Sequence, residues 1–417
     1  MSALPALVIL ASPPFALLVW YTHAHLGGSL TALATMAAER GVGATLAAAL
    51  GPHLLGSRPA WLMLAVFAAV QLALLRLLPG ARVRGSETPA GDVPEYTANG
   101  VPAFAVTLGL FALGAGPLGL YSPTVVYDHF GDLLGALNVF ALLLCAGLYL
   151  KGRLASGRPA PGFFAGTELH PRVLGWDVKM FVTCRMGMLG WPVILLSFAA
   201  AQRARHDAVS DSMLVAVGLQ LLYIAKFFWW EPGYLRSFDI AHDRAGFYIC
   251  WGCLVWLPSV YTSGTLYLVD HPRTLAPLAL PLFVAGVGAI ALNYLADAQR
   301  QRVRAAAGAT RVWGKAPALI RASWVTTRGE RRESLLLASG WWGLARHFHY
   351  VPELLAAVLW TLPAGFEHPL PWLYVLFLTG LLIHRTYRQD AACARKYGNA
   401  WERYRRQVRW RMVPGIF

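Results

Sequence analysis

The sequence predicts an all-α fold: a polytopic transmembrane bundle of about ten helices. Three observations carry that expectation. Of 417 residues, 57% are hydrophobic and only 14% charged, where a soluble domain carries about a quarter charged. The mean hydropathy is +0.48. Apolar stretches of spanning length recur from end to end, and open sheet edges cannot sit in lipid, so the spans should be helices. A disordered chain, a collagen and an ordinary cytosolic enzyme are excluded.

In chain order, the opening MSALPALVILASPP lacks a basic n-region and a clear cleavage site, so 5–21 reads as a first span rather than a removable signal. Further spans are expected at 60–79, 103–121, 132–150, 187–201, 212–230, 246–268, 275–296 and 370–384. Segment 31–50 is weaker because it holds Glu39 and Arg40, and 353–366 because it is short and holds Pro363. No strand pattern competes. The chain divides into N-terminal helices, 1–205, and a more polar C-terminal half, 206–417, within one membrane domain. The net charge of +15 reads as topology rather than nucleic-acid binding, because basic loops stay in the cytoplasm. The basic loop 297–333, with nine Arg or Lys, and the basic tail after residue 384 should therefore share the cytoplasmic side and could meet. Cys250 and Cys253 form a CxxC inside an apolar run with no strand–helix redox unit around it, and no metal site is expected.

Ionisable groups within spans are expensive and are functional candidates by default. They concentrate after residue 220. The first cluster holds Tyr223, Lys226, Glu231, Arg236, Asp239, His242, Asp243 and Arg244, with Pro232 and Gly233 expected to break the helix. A broken helix at membrane depth lines a cavity, so a polar pocket with aromatic walls is expected here. Alternatively, these charges pair with one another. The second cluster is SGWWGLARHFHYV, residues 339–351. The third is the tail, where Arg385, Arg388 and Gln389 share a helical face beside Asp390, Lys396, Tyr397, Trp401 and Tyr404. Arginine forks beside rings suit a phosphorylated, ring-bearing ligand such as a dinucleotide, although no GxGxxG is present. Snorkelling residues meeting lipid headgroups would give the same pattern.

At LHPRVLGWDVKMF, YLRSFDIAHDRAGFYICWG, WLPSVYTSGTLYLVDHP, LLLASGWWGLARHFHYV and KYGNAWERYRRQVRWRMVPGIF the chain resembles the sterol reductase family. Its ARHF and terminal PGIF are most like the Δ7 (7-dehydrocholesterol reductase) branch. The resemblance implies NADPH held by the last helices and open to the cytoplasm, and a sterol entering from the bilayer. It implies Arg300 and Arg304 at the cofactor phosphates and Trp342 near the nicotinamide. Arg346, His347, His349 and Tyr350, then Arg385, Arg388, Cys393, Tyr397, Trp401 and Tyr404, would line the rest of the cofactor site. Tyr223 would be the proton donor, with Glu231, Asp239, His242, Asp243 and Asp390 as the acidic and polar machinery. The chain departs from the family at His349 (usually Asn), Gln389 and Cys253 (usually Asp) and Lys226 (often Asp).

The reaction implied protonates an alkene and delivers a hydride to the resulting cation. Alternatives are a Δ14 or Δ24(28) bond, an S-adenosylmethionine-dependent isoprenylcysteine-type membrane methyltransferase, which shares the RH…Y pattern but is shorter and has a Glu-Glu pair, and a non-catalytic sterol-binding protein.

Overall fold

The computed structural model describes residues 3–88, 91–156, 162–326 and 329–417. Among the described residues six helices are long and apolar enough to cross a membrane: Leu4–Leu26, Arg58–Leu77, Phe130–Ala155, Val178–His206, Asp211–Trp229 and Ala279–Ala305. Four more apolar helical runs complete the bundle. They are Gly100–Ala115, Tyr350–Thr361, the apolar first half of Leu373–Tyr397, and a run from Phe247–Trp251 through the π-helical Gly252–Tyr261 into Ser263–Asp270. One apolar cluster runs through the bundle, from Ala16 to Met412. The protein is an integral membrane protein.

Several boundaries differ from the sequence reading. Segment 31–50 forms two short helices, Leu30–Arg40 and Val42–Leu50, divided at Gly41, whose φ of 85° favours glycine. The span expected at 103–121 ends at Ala115, ahead of Gly116 and Pro117. The span expected at 187–201 begins at Val178. Its first turns contain Lys179, Thr183 and Arg185, all buried, and a π-helical stretch Phe181–Gly187. These polar residues hid the true start. The Ala279–Ala305 helix continues beyond its apolar part, carrying Arg300, Arg302 and Arg304 out of the bilayer. The Leu373–Tyr397 helix also overshoots; its 25 residues make about 37 Å at 1.5 Å per residue. Part of the Gly/Pro-rich, basic stretch 151–185 lies outside the described residues.

The expectation of no strands is corrected. Among the described residues there are three two-stranded antiparallel hairpins. The longest pairs Leu319–Val325 with Arg331–Leu337, registering Leu319 opposite Leu337. It begins in the basic 297–333 loop and ends just past it. There, outside the bilayer, a hairpin can bury one face against a neighbour. That neighbour is the C-terminal helix Asn399–Gln407: Ala322, Leu336, Ala338, Trp401, Tyr404 and Val408 form a separate core. The basic loop and basic tail therefore do meet.

Candidate active site

The Asp211–Trp229 helix brings Tyr223 into a cluster of rings between spans. Trp360 lies 5.2 Å and Trp191 6.0 Å from the Tyr223 ring, centroid to centroid. Tyr261 and Tyr374 close the far side, 4.2 Å apart. Trp191 is pinned by its Nε1–H, which donates to Gln220 at 3.1 Å, and Gln220 donates in turn to Thr265 at 2.7 Å. The Tyr223 hydroxyl donates to Glu353, on the Tyr350–Thr361 helix. Lys226, one turn along from Tyr223, sets its ammonium 4.5 Å from the Tyr223 ring centroid and donates to Asn293 at 2.6 Å. Asn293 then donates to the carbonyl of His349 at 2.9 Å. A polar strip thus runs from the ring cluster through Asn293 to His349.

On the outer side, the Lys226 stem also walls an apolar groove of about 430 Å³ with Val101, Phe104, Leu222, Trp229 and Tyr294. Trp229 is 68% exposed, so the groove faces outward, where lipid acyl chains lie.

At the strip's other end, Arg300 lies over the Trp342 ring at 3.9 Å and donates to Asp297 at 3.1 Å. Trp342 stacks on His349 and donates to the Ala296 carbonyl at 2.8 Å. His349 lies 4.1 Å from Tyr350, and Gln389 donates to the Tyr350 hydroxyl at 3.0 Å. Arg304 donates to the Leu335 carbonyl of the hairpin at 3.3 Å. Tyr404 donates to the Trp342 carbonyl at 3.1 Å, and Trp401 packs on Tyr404. Arg300 and Arg304 both lie near enough to act electrostatically on Cys393, Tyr397 and Tyr404. Burial raises the Cys393 thiol to about 11, which keeps it protonated. Burial lowers His349 to about 3, so it is neutral.

A reduced nicotinamide dinucleotide, implied by the resemblance, fits these residues on one structural observation. Arg300 Nε and His349 Nδ1 are buried without hydrogen-bond partners. Such orphans are rare unless a ligand or water completes them. Two arginines beside them supply the charge that phosphates require.

Other predicted residues are placed differently. Glu231 is 1% exposed and pairs with Arg185, itself fully buried, at 2.9 Å. Its second oxygen accepts from Gly100 N at 2.7 Å, and Arg185 also donates to Asn99 at 2.6 Å. The π-helical stretch Phe181–Gly187 thus carries an arginine that locks three segments, and Glu231 belongs to that lock rather than to the Tyr223 ring cluster. Asp239 accepts from Arg385, and Asp243 accepts from Arg388 at 2.6 Å. The Asp243 and Ile240 carbonyls are further held by the buried Lys179. These pairs tie the broken segment after Pro232 to the tail helix, and both arginines are already charge-matched. His242 is exposed, its ring tilted against Phe238 at 4.5 Å.

Asp390, Arg346 and His347 form a third fastening. Arg346 donates to both Asp390 oxygens, at 3.3 and 3.1 Å, and to the carbonyls of Val408 and Arg409. Arg411 reaches the same carboxylate at 3.1 Å. Burial alone would raise the Asp390 pKa; the bonds from His347 and Arg346 overcome it and hold it below the usual carboxylate range. This knot anchors the C-terminus onto the bundle.

The residue that sequence reasoning missed is Glu353. A carboxylate in the first turn of a helix reads as an ordinary complement to the helix dipole. The available signal was its place as the lone acid in the apolar run ELLAAVLW.

The sequence matches the Ergosterol biosynthesis ERG4/ERG24 family over residues 44–417. It is 47% identical to the 7-dehydrocholesterol reductase of Arabidopsis thaliana over 97% of this chain and 95% of the relative. It is 36% identical to the Delta(14)-sterol reductase of Methylotuvimicrobium alcaliphilum over 98% and 94%. It is 35% identical to the 7-dehydrocholesterol reductase of Danio rerio over 82% and 75%. On both the extent of the family match and these identities, the chain belongs to the Ergosterol biosynthesis ERG4/ERG24 family.

Proposed function

We propose that the protein reduces a ring double bond of a sterol, the Δ7 bond of a 5,7-diene, with NADPH as reductant. The observation that carries this reading is the Tyr223–Glu353 pair among packed rings, joined through Lys226 and Asn293 to a group of arginines and unpartnered donors. An isolated alkene is a poor base, so its protonation needs a fixed acid, and general acid catalysis contributes typically about 10²–10⁴-fold. Tyr223 is that acid. The cation formed must be shielded from water, which would trap it as an alcohol. Trp191, Trp360, Tyr261 and Tyr374 exclude water and face the cation with π-systems, each worth about 0.5–2 kcal/mol. NADPH, when bound, supplies the hydride. Arg300 and Arg304 hold its phosphates, and Trp342, Tyr350, Cys393, Tyr397 and Tyr404 line its site.

The sterol reaches the ring cluster from lipid by way of the apolar groove beside Lys226. By the positive-inside rule the hairpin and the C-terminus face the cytoplasm, where the cofactor is available. The likeness to a Delta(14)-sterol reductase favours a second reading, in which the reduced bond is Δ14. Incubating purified protein with NADPH and 7-dehydrocholesterol separates the two. Loss of the conjugated-diene absorbance supports Δ7 reduction. An unchanged diene alongside reduction of a Δ8,14 sterol supports the second reading, and no reduction of either refutes both.

A further inference from the structure

Taking alkene reduction as the reaction, the geometry points to Glu353 as the proton-supplying and positioning residue behind Tyr223, poised by Lys226. Three observations converge. Glu353 is the side-chain partner of the Tyr223 hydroxyl, and a proton lies between their oxygens. It comes from a different span, so the pair forms only when the Asp211–Trp229 and Tyr350–Thr361 helices are packed. The Lys226 ammonium stands over the same phenol ring, and its other partner, Asn293, leads towards His349 and the basic cleft. The acids expected from the sequence are committed elsewhere: Glu231 to Arg185, Asp239 to Arg385, Asp243 to Arg388 and Asp390 to Arg346.

A phenol alone is a weak acid and, once spent, must be reloaded. The proton step balances as follows. The Tyr223 O–H bond breaks as a C–H bond forms on the alkene. With a proton on Glu353 the bond between the two residues reverses, the carboxyl O–H donating to the Tyr223 oxygen and the phenol O–H turning to the alkene. The phenolate then takes the carboxyl proton, and Glu353 is reprotonated from solvent. The carbocation takes a hydride with its electron pair from the reduced nicotinamide, so the alkene gains two electrons and the cofactor loses two. Lys226 stabilises the negative charge that appears on Tyr223 as its proton leaves. The ionisable groups facing Glu353 are Tyr223 and Lys226 on one span, Tyr261 and Tyr374 on two others, and Tyr350 on its own helix. Asp297 acts on Lys226 from further along the strip.

The test is steady-state kinetics of the protein and of Glu353→Gln and Glu353→Asp, with cofactor affinity measured on each sample. Glu353→Gln keeps the size of the side chain but cannot carry a proton. Its kcat should fall about 10²-fold, while cofactor affinity stays unchanged. Glu353→Asp should restore part of the rate. A protonated-carboxyl band in the infrared spectrum, present in the parent and lost in Glu353→Gln, reads the same proton without turnover. Full kcat in Glu353→Gln, or a parent without that band, overturns the assignment. If Glu353→Gln loses cofactor affinity, Glu353→Asp and the infrared band decide. If the parent reduces no sterol, the functional reading fails, while the infrared band still reports whether Glu353 holds a proton.

Discussion

Replacing Glu231 with Ala separates a structural carboxylate from a catalytic one. In the folded protein Arg185 is fully buried and Glu231 is its carboxylate partner, at 2.9 Å. Removing the carboxylate leaves an uncompensated buried cation, and breaking such a pair costs about 3–5 kcal/mol. The Gly100 amide, which donates to Glu231 at 2.7 Å, also loses its acceptor, adding about 1–3 kcal/mol. The sum, roughly 4–8 kcal/mol, is comparable with the whole stability of a typical domain. Glu231→Ala should therefore melt many degrees lower in detergent or fail to accumulate. Replacing both partners, Arg185→Met with Glu231→Leu, should recover most of that loss, since an apolar pair of similar volume is often neutral or better. Thermal unfolding of the two variants, followed by tryptophan fluorescence, measures the difference. A Glu231→Ala protein that melts like the parent but has lost turnover would refute the structural reading and return Glu231 to the reaction.

Tyr223→Phe should lower turnover by about 10²-fold or more with cofactor affinity unchanged, measured by steady-state kinetics alongside cofactor titration. Arg300→Ala should weaken cofactor binding by about 10-fold or more, since hydrogen bonds to charged groups are worth about 1.5–3 kcal/mol, and the loss should shrink for a cofactor lacking its extra phosphate. Arg388→Ala should leave Asp243 without its cation and lower stability more than cofactor affinity, as read by a melt beside a titration. Asp390 has a lowered pKa in the folded protein, so its contribution is fully present above its unfolded value near 3.8. It is lost as pH falls from there through the lowered value. Limited proteolysis should therefore release the C-terminal tail only in strong acid, and Asp390→Asn should release it at neutral pH.

The bundle was legible because spanning helices need only length and apolarity, and Asp211–Trp229 begins and ends within a residue of the segment expected at 212–230. The start of the Val178–His206 span was not, because Lys179 and Arg185 mimic a loop until their partners are known. Those partners, Asp243 and Glu231, lie 64 and 46 residues away, and no periodicity reports pairing at that range. The hairpin at 319–337 was hidden by the basic residues around its short strands. The chemistry-bearing residue types were visible in the right thirds of the chain. Their division into fastenings, at Glu231, Asp239, Asp243 and Asp390, and the proposed reaction site, at Tyr223, required the packing of spans. Glu353 was invisible because its meaning comes entirely from Tyr223, 130 residues earlier.

The account rests on a proton and a hydride arriving from opposite sides: one from solvent through Tyr223, one from the nicotinamide held at the arginine cleft. Mass spectrometry of the reduced sterol tests it directly, with the cofactor deuterated at the transferable position in ordinary water, and then with ordinary cofactor in heavy water. The account predicts a single deuterium in each product, at the two neighbouring ring carbons. Product without cofactor-derived deuterium, or with both hydrogens drawn from solvent, would contradict it.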